Sequence, residues 1–155
     1  MLVFVPVPPQ HATELRAGSN PAVLRGCAAT PALLAAMGPD TSTEEAEFAA
    51  LSNAGVLALL GGQDGVRLVL AADIEGAQVH DQHSDEGQVE VSGLRWSAVQ
   101  ALFADEPEAA GAVQQARQAA TGLELGDALV TPAVLELLDG FDLLWFAVEE
   151  LDALT

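Results

Sequence analysis

Residues 66–74, Val-Arg-Leu-Val-Leu-Ala-Ala-Asp-Ile, are the stretch on which the fold assignment rests. Only Arg67 and Asp73 interrupt an otherwise apolar run. A short apolar run of this kind is typical of a strand that is covered on both faces of its sheet. We therefore predict that residues 66–74 form the central strand.

Other strands are indicated on both sides of this stretch. The predicted strands are 2–7, 23–28, 88–92 and 141–148. In residues 88–92, Val89 and Val91 alternate with polar residues, which predicts one buried and one exposed face. Residues 141–148 are aromatic and aliphatic, so this strand, with Trp145 and Phe146, is expected to pack in the core.

Helix starts are marked by capping residues and prolines. Ser42 and Thr41 each precede a glutamate by three residues, the spacing of a capping box, and predict a helix that runs to Gly61–Gly62. Thr-Pro pairs predict two further starts, because threonine caps free N–H groups and proline suits the first turn. The predicted helices begin near His11, Pro31, Ser42, Pro107 and Pro132.

Two more segments have apolar residues at helical spacing. The helix after Pro107 has an apolar face formed by residues 109, 113, 116 and 120, and Arg117 falls on its other faces. Residues 96–103 fit either a helix or a strand, because Trp96, Val99 and Phe103 have helical spacing within an apolar run. Both alternatives stay open on the pattern alone.

The order of strands and helices predicts an α/β or α+β fold. We expect a single domain over residues 1–155, with one mixed β-sheet of about five or six strands packed with helices. A chain of 155 residues is long enough to bury roughly 70% of the surface that its unfolded form exposes.

The charge balance excludes several classes of partner. Asp and Glu number 23 and Lys and Arg only 5, which gives a net charge of -18. Such a surface repels phosphate backbones and anionic lipids, so we expect no binding to nucleic acid or to a membrane. A mean hydropathy of +0.30 predicts a folded chain in spite of the charge. Adaptation to high salt is a competing explanation for the acidity.

The sequence features that bear on location favour the cytoplasm. The apolar run 143–148 is far shorter than the ~20 residues of a membrane-spanning helix. The N-terminal residues have the pattern of a strand and lack the basic start of a signal peptide. Cys27, the single cysteine, fits a reducing compartment and is expected to be a buried, inert thiol.

One segment concentrates residues of the kind that bind metals. His80, Asp81, His83 and Asp85 lie close together in the polar stretch 75–87, and imidazoles with carboxylates can bind zinc, nickel or manganese. We also predict that this stretch is an irregular, solvated loop, which would lack the supporting residues that orient ligands. The weight of these observations is against a metal site.

Candidate catalytic residues are limited to carboxylates. Asp73 ends the predicted central strand, where open sheets place ligand clefts, and Glu47 and Glu149 are further candidates. Each residue also has a non-catalytic interpretation. Asp73 would cap a turn, and the two glutamates would be ordinary exposed residues. The sequence has no phosphate-binding glycine loop and no nucleophile elbow, so no cofactor is expected.

Four segments together resemble an uncharacterised family of small actinobacterial proteins. They are residues 29–33, 44–51, 66–73 and 143–151. The resemblance implies a bacterial cytosolic origin and a compact α/β domain, implies no catalytic residues, and favours a strand over residues 99–103. It lapses over residues 75–87, where the histidines lie.

Two functional hypotheses follow from these features. The first is a non-enzymatic domain that binds another protein or itself, since apolar segments alternate with acidic groups that can meet a basic partner. The second is a small enzyme or ligand-binding protein with a carboxylate-lined pocket near Asp73, Glu47 and Glu149.

Overall fold

A seven-stranded antiparallel sheet runs through the molecule. The computed structural model describes residues 1–21, 23–61 and 64–155. The strands are β1 Leu2–Pro6, β2 Val23–Ala28, β3 Leu68–Asp73, β4 Val79–Asp81, β5 Gln88–Ser92, β6 Val99–Ala104 and β7 Leu144–Phe146. Their order across the sheet is β4-β5-β2-β1-β3-β6-β7.

The predicted α+β class is confirmed, with two differences in the sheet. The described residues form seven strands instead of five or six, and all six pairings among them are antiparallel instead of mixed. The additional strand, β4, has only three residues, too few for an alternating pattern to be recognised. Whether two strands run parallel or antiparallel depends on which strands become neighbours in the sheet. The sequence pattern of a single strand does not contain this information.

Seven α-helices flank the sheet in the described residues. They are α1 Pro9–Arg16, α2 Pro31–Met37, α3 Thr43–Leu57, α4 Ala110–Ala120, α5 Leu125–Ala128, α6 Pro132–Gly140 and α7 Leu151–Leu154. Among the described residues, none of these helices has the length and hydropathy required to cross a membrane.

The capping box at the start of α3 is confirmed. The Ser42 hydroxyl accepts from the Glu45 N–H at 3.1 Å, and the Glu45 carboxylate accepts from the Ser42 N–H at 2.9 Å. Two of the free N–H groups at the start of the helix are thus satisfied. The helix ends at Leu57, earlier than predicted, and a turn follows to Gly61; Gly62 lies outside the described residues.

The sheet has a hydrophobic core on each face. On one face Val69 and Ala71 of β3 pack with helices α2 to α6, and on the other Leu68 and Leu70 pack with α1 and α7. Side chains alternate between the faces of a strand, so β3 contributes to both cores. The predicted two-sided burial of residues 66–74 is confirmed for β3, which lies next to the middle strand β1.

Three further segments have a secondary structure that can be compared with the prediction. Residues 99–104 form β6, so the strand alternative is confirmed, and residues 96–98 form a 3₁₀ turn before it. Residues 79–81, predicted to lie in an irregular loop, instead pair with β5. Residues 141–148 contain only the short strand β7, at the edge of the sheet.

Candidate interaction surface

Strand β7 forms one edge of the sheet and carries an exposed tryptophan. It pairs with β6, where Trp145 lies opposite Phe103, and no other described strand pairs with it. Trp145 is 61% exposed, so the prediction that it packs in the core is wrong. A continuous apolar run predicts burial on both faces, but an edge position leaves one side chain without a covering helix.

Trp145 points to the same face of the sheet as an apolar pocket. Phe103, its cross-strand partner, packs against the core that contains α3 and α6. On that face a pocket of about 110 Å³ opens between α3, α6 and the segment before β7. Its lining residues are Phe48, Leu51, Ser52, Arg67, Leu138, Phe141, Asp142 and Leu143.

The apolar rim of this pocket is itself accessible. Phe48, on α3, is 65% exposed. We call Phe48, Phe141, Leu143 and Trp145, together with the free edge of β7, the β7 surface. Scattered single apolar residues are common on protein surfaces, whereas large contiguous apolar patches are typical of interaction sites.

A buried ion pair lies beneath this surface. Register between β3 and β6 places Arg67 and Asp105 beside each other, one residue beyond the paired Leu68 and Ala104. Arg67 Nη2 donates to Asp105 Oδ1 at 2.7 Å, and Arg67 Nε donates to Oδ2 at 3.0 Å. The Arg67 backbone N–H also donates to Oδ2, at 2.9 Å. Both side chains are 1% exposed, so the pair is largely shielded from solvent.

A glycine on α3 leaves room for Arg67. A Cβ atom at Gly55 would lie 3.1 Å from Arg67 Nη1 and 3.0 Å from Leu143 Cδ1. Any larger residue at position 55 would press on both the ion pair and the segment that leads to β7. The helix, the arginine and the β7 surface are therefore packed as one unit.

The surroundings of the β7 surface are acidic. Asp142 lines the pocket, and Asp139 and Glu149, on either side of β7 in the chain, are exposed. Two of the five arginines, Arg67 and Arg117, are buried, so they add little positive charge to the exterior. The ratio of acidic to basic residues is thus even higher at the surface than in the whole chain.

The three predicted carboxylates lie at separate places. Asp73 ends β3 and accepts from the N-terminal ammonium group of Met1 at 2.9 Å. Asp73 lines a small cavity of about 210 Å³, and neither Glu47 on α3 nor Glu149 after β7 is among its lining residues. The structure therefore does not bring the three together around that cavity.

The residues of the predicted metal segment lie on the β4–β5 hairpin. Asp81 Oδ1 accepts from the His83 N–H at 2.7 Å, and His83 has a left-handed φ of 56°. His80 and Asp85 are exposed. Among residues 1–21, 23–61 and 64–155, no group of three or more His, Cys, Asp or Glu side chains is placed to bind a metal ion.

Comparison with known proteins identifies the family of the chain. A model of a family of unknown function, DUF6912, matches residues 1–155. The chain belongs to this family. Membership of an uncharacterised family is thus confirmed. Searches of curated proteins and of solved structures gave no match.

Two features of this DUF6912 chain were missed by sequence reasoning. The Arg67–Asp105 pair had a signal, since a charged residue within an apolar strand needs a partner, but the partner lies 38 positions away. The exposure of Trp145 had no local signal, because edge and central positions are decided by strand order. Both were decided by tertiary structure.

Proposed function

We propose that this chain is a protein-binding domain that takes up an extended segment of a basic partner along β7. Main-chain hydrogen bonds to the free edge would give affinity, and side chains entering the apolar pocket would give specificity. The partner's lysine and arginine residues would face the acidic groups around the strand.

The proposal depends chiefly on one observation, the exposed Trp145 on an edge strand whose preceding segment, residues 141–143, lines an apolar pocket. Proteins protect sheet edges with short strands, charges, prolines or a covering element, and β7, with three residues, has the first of these. Tryptophan is among the residues that contribute most to binding energy at interfaces. An edge that presents this residue is suited to binding another strand.

The charge of the molecule supports a basic partner over a second copy. Two copies of a chain with a net charge of -18 repel each other, whereas a cationic segment is attracted. The Debye length at physiological ionic strength is about 8 Å, so repulsion between acidic groups that flank a shared edge would persist there. The same charge supports the expectation that neither nucleic acid nor a membrane is the partner.

The alternative, an enzyme or ligand-binding protein built on Asp73, Glu47 and Glu149, has less support. Catalytic carboxylates act as pairs across one cleft, and the cavity that Asp73 lines contains neither Glu47 nor Glu149. We therefore place the binding hypothesis first.

A peptide selection tests the proposal. A library of displayed random heptapeptides is sorted for binding to the purified chain, in parallel with Trp145→Ala. We expect the parent chain to enrich sequences in which apolar residues alternate with Lys or Arg, and we expect this enrichment to disappear with Trp145→Ala.

A matched variant controls for general loss of apolar surface. Val130 is 71% exposed and lies outside the β7 surface, so Val130→Ala should enrich the same peptides as the parent. Equal enrichment by the parent chain and Trp145→Ala would contradict the proposal. Concentration-dependent dimers that Trp145→Ala abolishes, without peptide enrichment, would favour self-association instead.

A further inference from the structure

Arg117 is a buried cation without a carboxylate of its own. The residue is 8% exposed, although its position on α4 predicted an outward direction. Its Nη1 donates to the carbonyl oxygen of Gly65 at 2.8 Å, and its buried Nε has no acceptor in the part of the chain that the structure describes. Among the described residues, no carboxylate oxygen lies within 4.0 Å of its guanidinium.

The nearest buried carboxylate is already occupied. Asp105 receives the Arg67 guanidinium at both oxygens, and Oδ2 also accepts the Arg67 backbone N–H. Burial lowers the pKa of Arg117, and the charges of Asp105 and Asp64 partly oppose that shift. A buried charge is unfavourable unless it is paired and hydrogen-bonded, and the pairing of Arg117 is incomplete.

A cavity of about 620 Å³ adjoins this guanidinium. It lies between α4 and residues 64–66, with Asp105 and Arg117 among its lining residues. Gln114, Gln118 and Thr121 supply polar groups to it, and Val66 and Val113 supply apolar ones. This volume falls within the roughly 300–1,000 Å³ of small-molecule sites, which combine apolar walls with a few polar groups.

We infer that this cavity is a binding site for a small organic acid with a single carboxylate, held by Arg117. The Nη2 group of Arg117 donates to no acceptor among the described residues, and unlike Nε it is not enclosed by protein atoms. A carboxylate oxygen of the ligand can accept from this group in a charge-assisted hydrogen bond. The ligand would supply the counterion that the protein lacks at this position.

The charges around the cavity favour a monoanion. Asp64 and Asp105 both line it, and the molecule carries a net charge of -18. Inorganic phosphate, with about 1.5 negative charges at neutral pH, is repelled more strongly than a carboxylate. An apolar tail of the ligand would lie against Val66 and Val113.

An NMR titration tests the assignment. The parent chain is titrated with hexanoate, its neutral analogue hexanamide and inorganic phosphate, while the Arg117 Nε–H resonance is followed. We expect hexanoate to shift this resonance and to saturate. Hexanamide and phosphate should leave it in place at the same concentrations, since one lacks the charge and the other carries too much.

Two glutamine variants on the same helix provide the matched comparison. Gln114 lines the cavity and the neighbouring Gln115 does not, and both are exposed, so neither substitution should unfold the chain. Gln114→Glu should weaken hexanoate binding several-fold, whereas Gln115→Glu should leave it nearly unchanged. Arg117→Gln should weaken it at least roughly tenfold, the usual effect of losing a charged hydrogen bond.

Several results would overturn the inference. They are the absence of a saturable hexanoate shift, equal binding of hexanamide, tighter binding of phosphate, and equal effects of Gln114→Glu and Gln115→Glu. None of these outcomes depends on β7, so failure here is distinguishable from failure of the proposed protein-binding function.

Discussion

At the scale of single residues, the Arg67–Asp105 pair connects β3 to β6 beneath the β7 surface. Replacing Asp105 by alanine leaves the Arg67 guanidinium buried without its partner. Breaking one side of such a pair typically destabilises a protein by about 3–5 kcal/mol. We expect Asp105→Ala to lower the free energy of unfolding by this amount, as measured by urea denaturation.

Two comparisons separate the effect of burial from that of charge. Asp152 forms an exposed ion pair with Arg16 at 2.6 Å, so Asp152→Ala should change stability by less than about 1 kcal/mol. The double variant Arg67→Met with Asp105→Leu should be more stable than Asp105→Ala, because no unpaired charge remains. Equal losses in the free energy of unfolding for Asp105→Ala and Asp152→Ala would contradict the prediction that the buried ion pair contributes more to stability than the exposed one.

Cys27 predicts a specific dependence of stability on pH. Burial, with a contribution from Glu86 and opposition from Arg25, raises the pKa of its thiol from 9.0 to about 12. Above pH 9 the unfolded chain loses this proton while the folded chain keeps it. Stability should therefore fall as pH rises from about 9 to about 12, with a slope from this group of about 1.4 kcal/mol per pH unit.

The variant Cys27→Ala isolates this contribution. Cys27→Ala loses the packing of the sulfur at every pH, but it has no thiol that can titrate. The stability of the parent chain should therefore fall toward that of Cys27→Ala as pH rises above 9. Urea denaturation of both proteins at several pH values measures the difference. Parallel curves from pH 7 to pH 11 would show that the thiol does not titrate as predicted.

The burial of individual side chains was predictable where the alternation of apolar and polar residues along one strand determines it. The inward positions of Val89 and Val91 followed from alternation and are confirmed. Arg117 and Trp145 were misplaced because their environments depend on distant segments. Residues 64–66 lie beside Arg117, and the edge position of β7 leaves Trp145 exposed.

At the scale of elements, the helix starts differ in how they are capped. Ser42 makes the reciprocal capping box of α3, whereas Thr131 precedes α6 without a side-chain capping bond and its hydroxyl donates to the Asp127 carbonyl at 3.0 Å. Ser42→Ala should destabilise the chain by about 1 kcal/mol, and Thr131→Ala by distinctly less. Thermal unfolding of both variants checks this, and a larger loss for Thr131→Ala would contradict the capping assignment.

Most elements were predictable because each carries its own signal. Strand β2 and helix α2 have the predicted bounds, since a β-branched or apolar run and a Thr-Pro start define them. Strand β4 was not predicted, because its three residues, Val-His-Asp, include one apolar residue and are stabilised by pairing with β5. The antiparallel direction of the sheet likewise came from pairing.

At the scale of the whole molecule, charge sets the response to salt. Acidic groups repel one another within the folded chain, and salt screens this repulsion. Raising ionic strength from about 0.01 M to about 0.15 M shortens the Debye length from roughly 30 Å to roughly 8 Å. We expect the melting temperature to rise over this range and to level off well below 1 M, as measured by calorimetry.

The same experiment decides the origin of the acidity. A melting temperature that continues to rise into molar salt would favour the salt-adapted interpretation. Levelling off would fit an ordinary protein in which few basic residues are present, five of 155. The hydrophobic content of 50% weighs against salt adaptation, but charge counts do not record how the acidic groups are spaced.

The central claim, that a partner strand pairs with β7, makes a prediction about the two edges of the sheet. Both edge strands, β7 and β4, have three residues, so one serves as the control for the other. The most direct measurement is amide hydrogen exchange, with and without a peptide from the selection. We predict slower exchange at Leu144–Phe146 and unchanged exchange at Val79–Asp81; protection at β4, or at neither edge, would contradict the account.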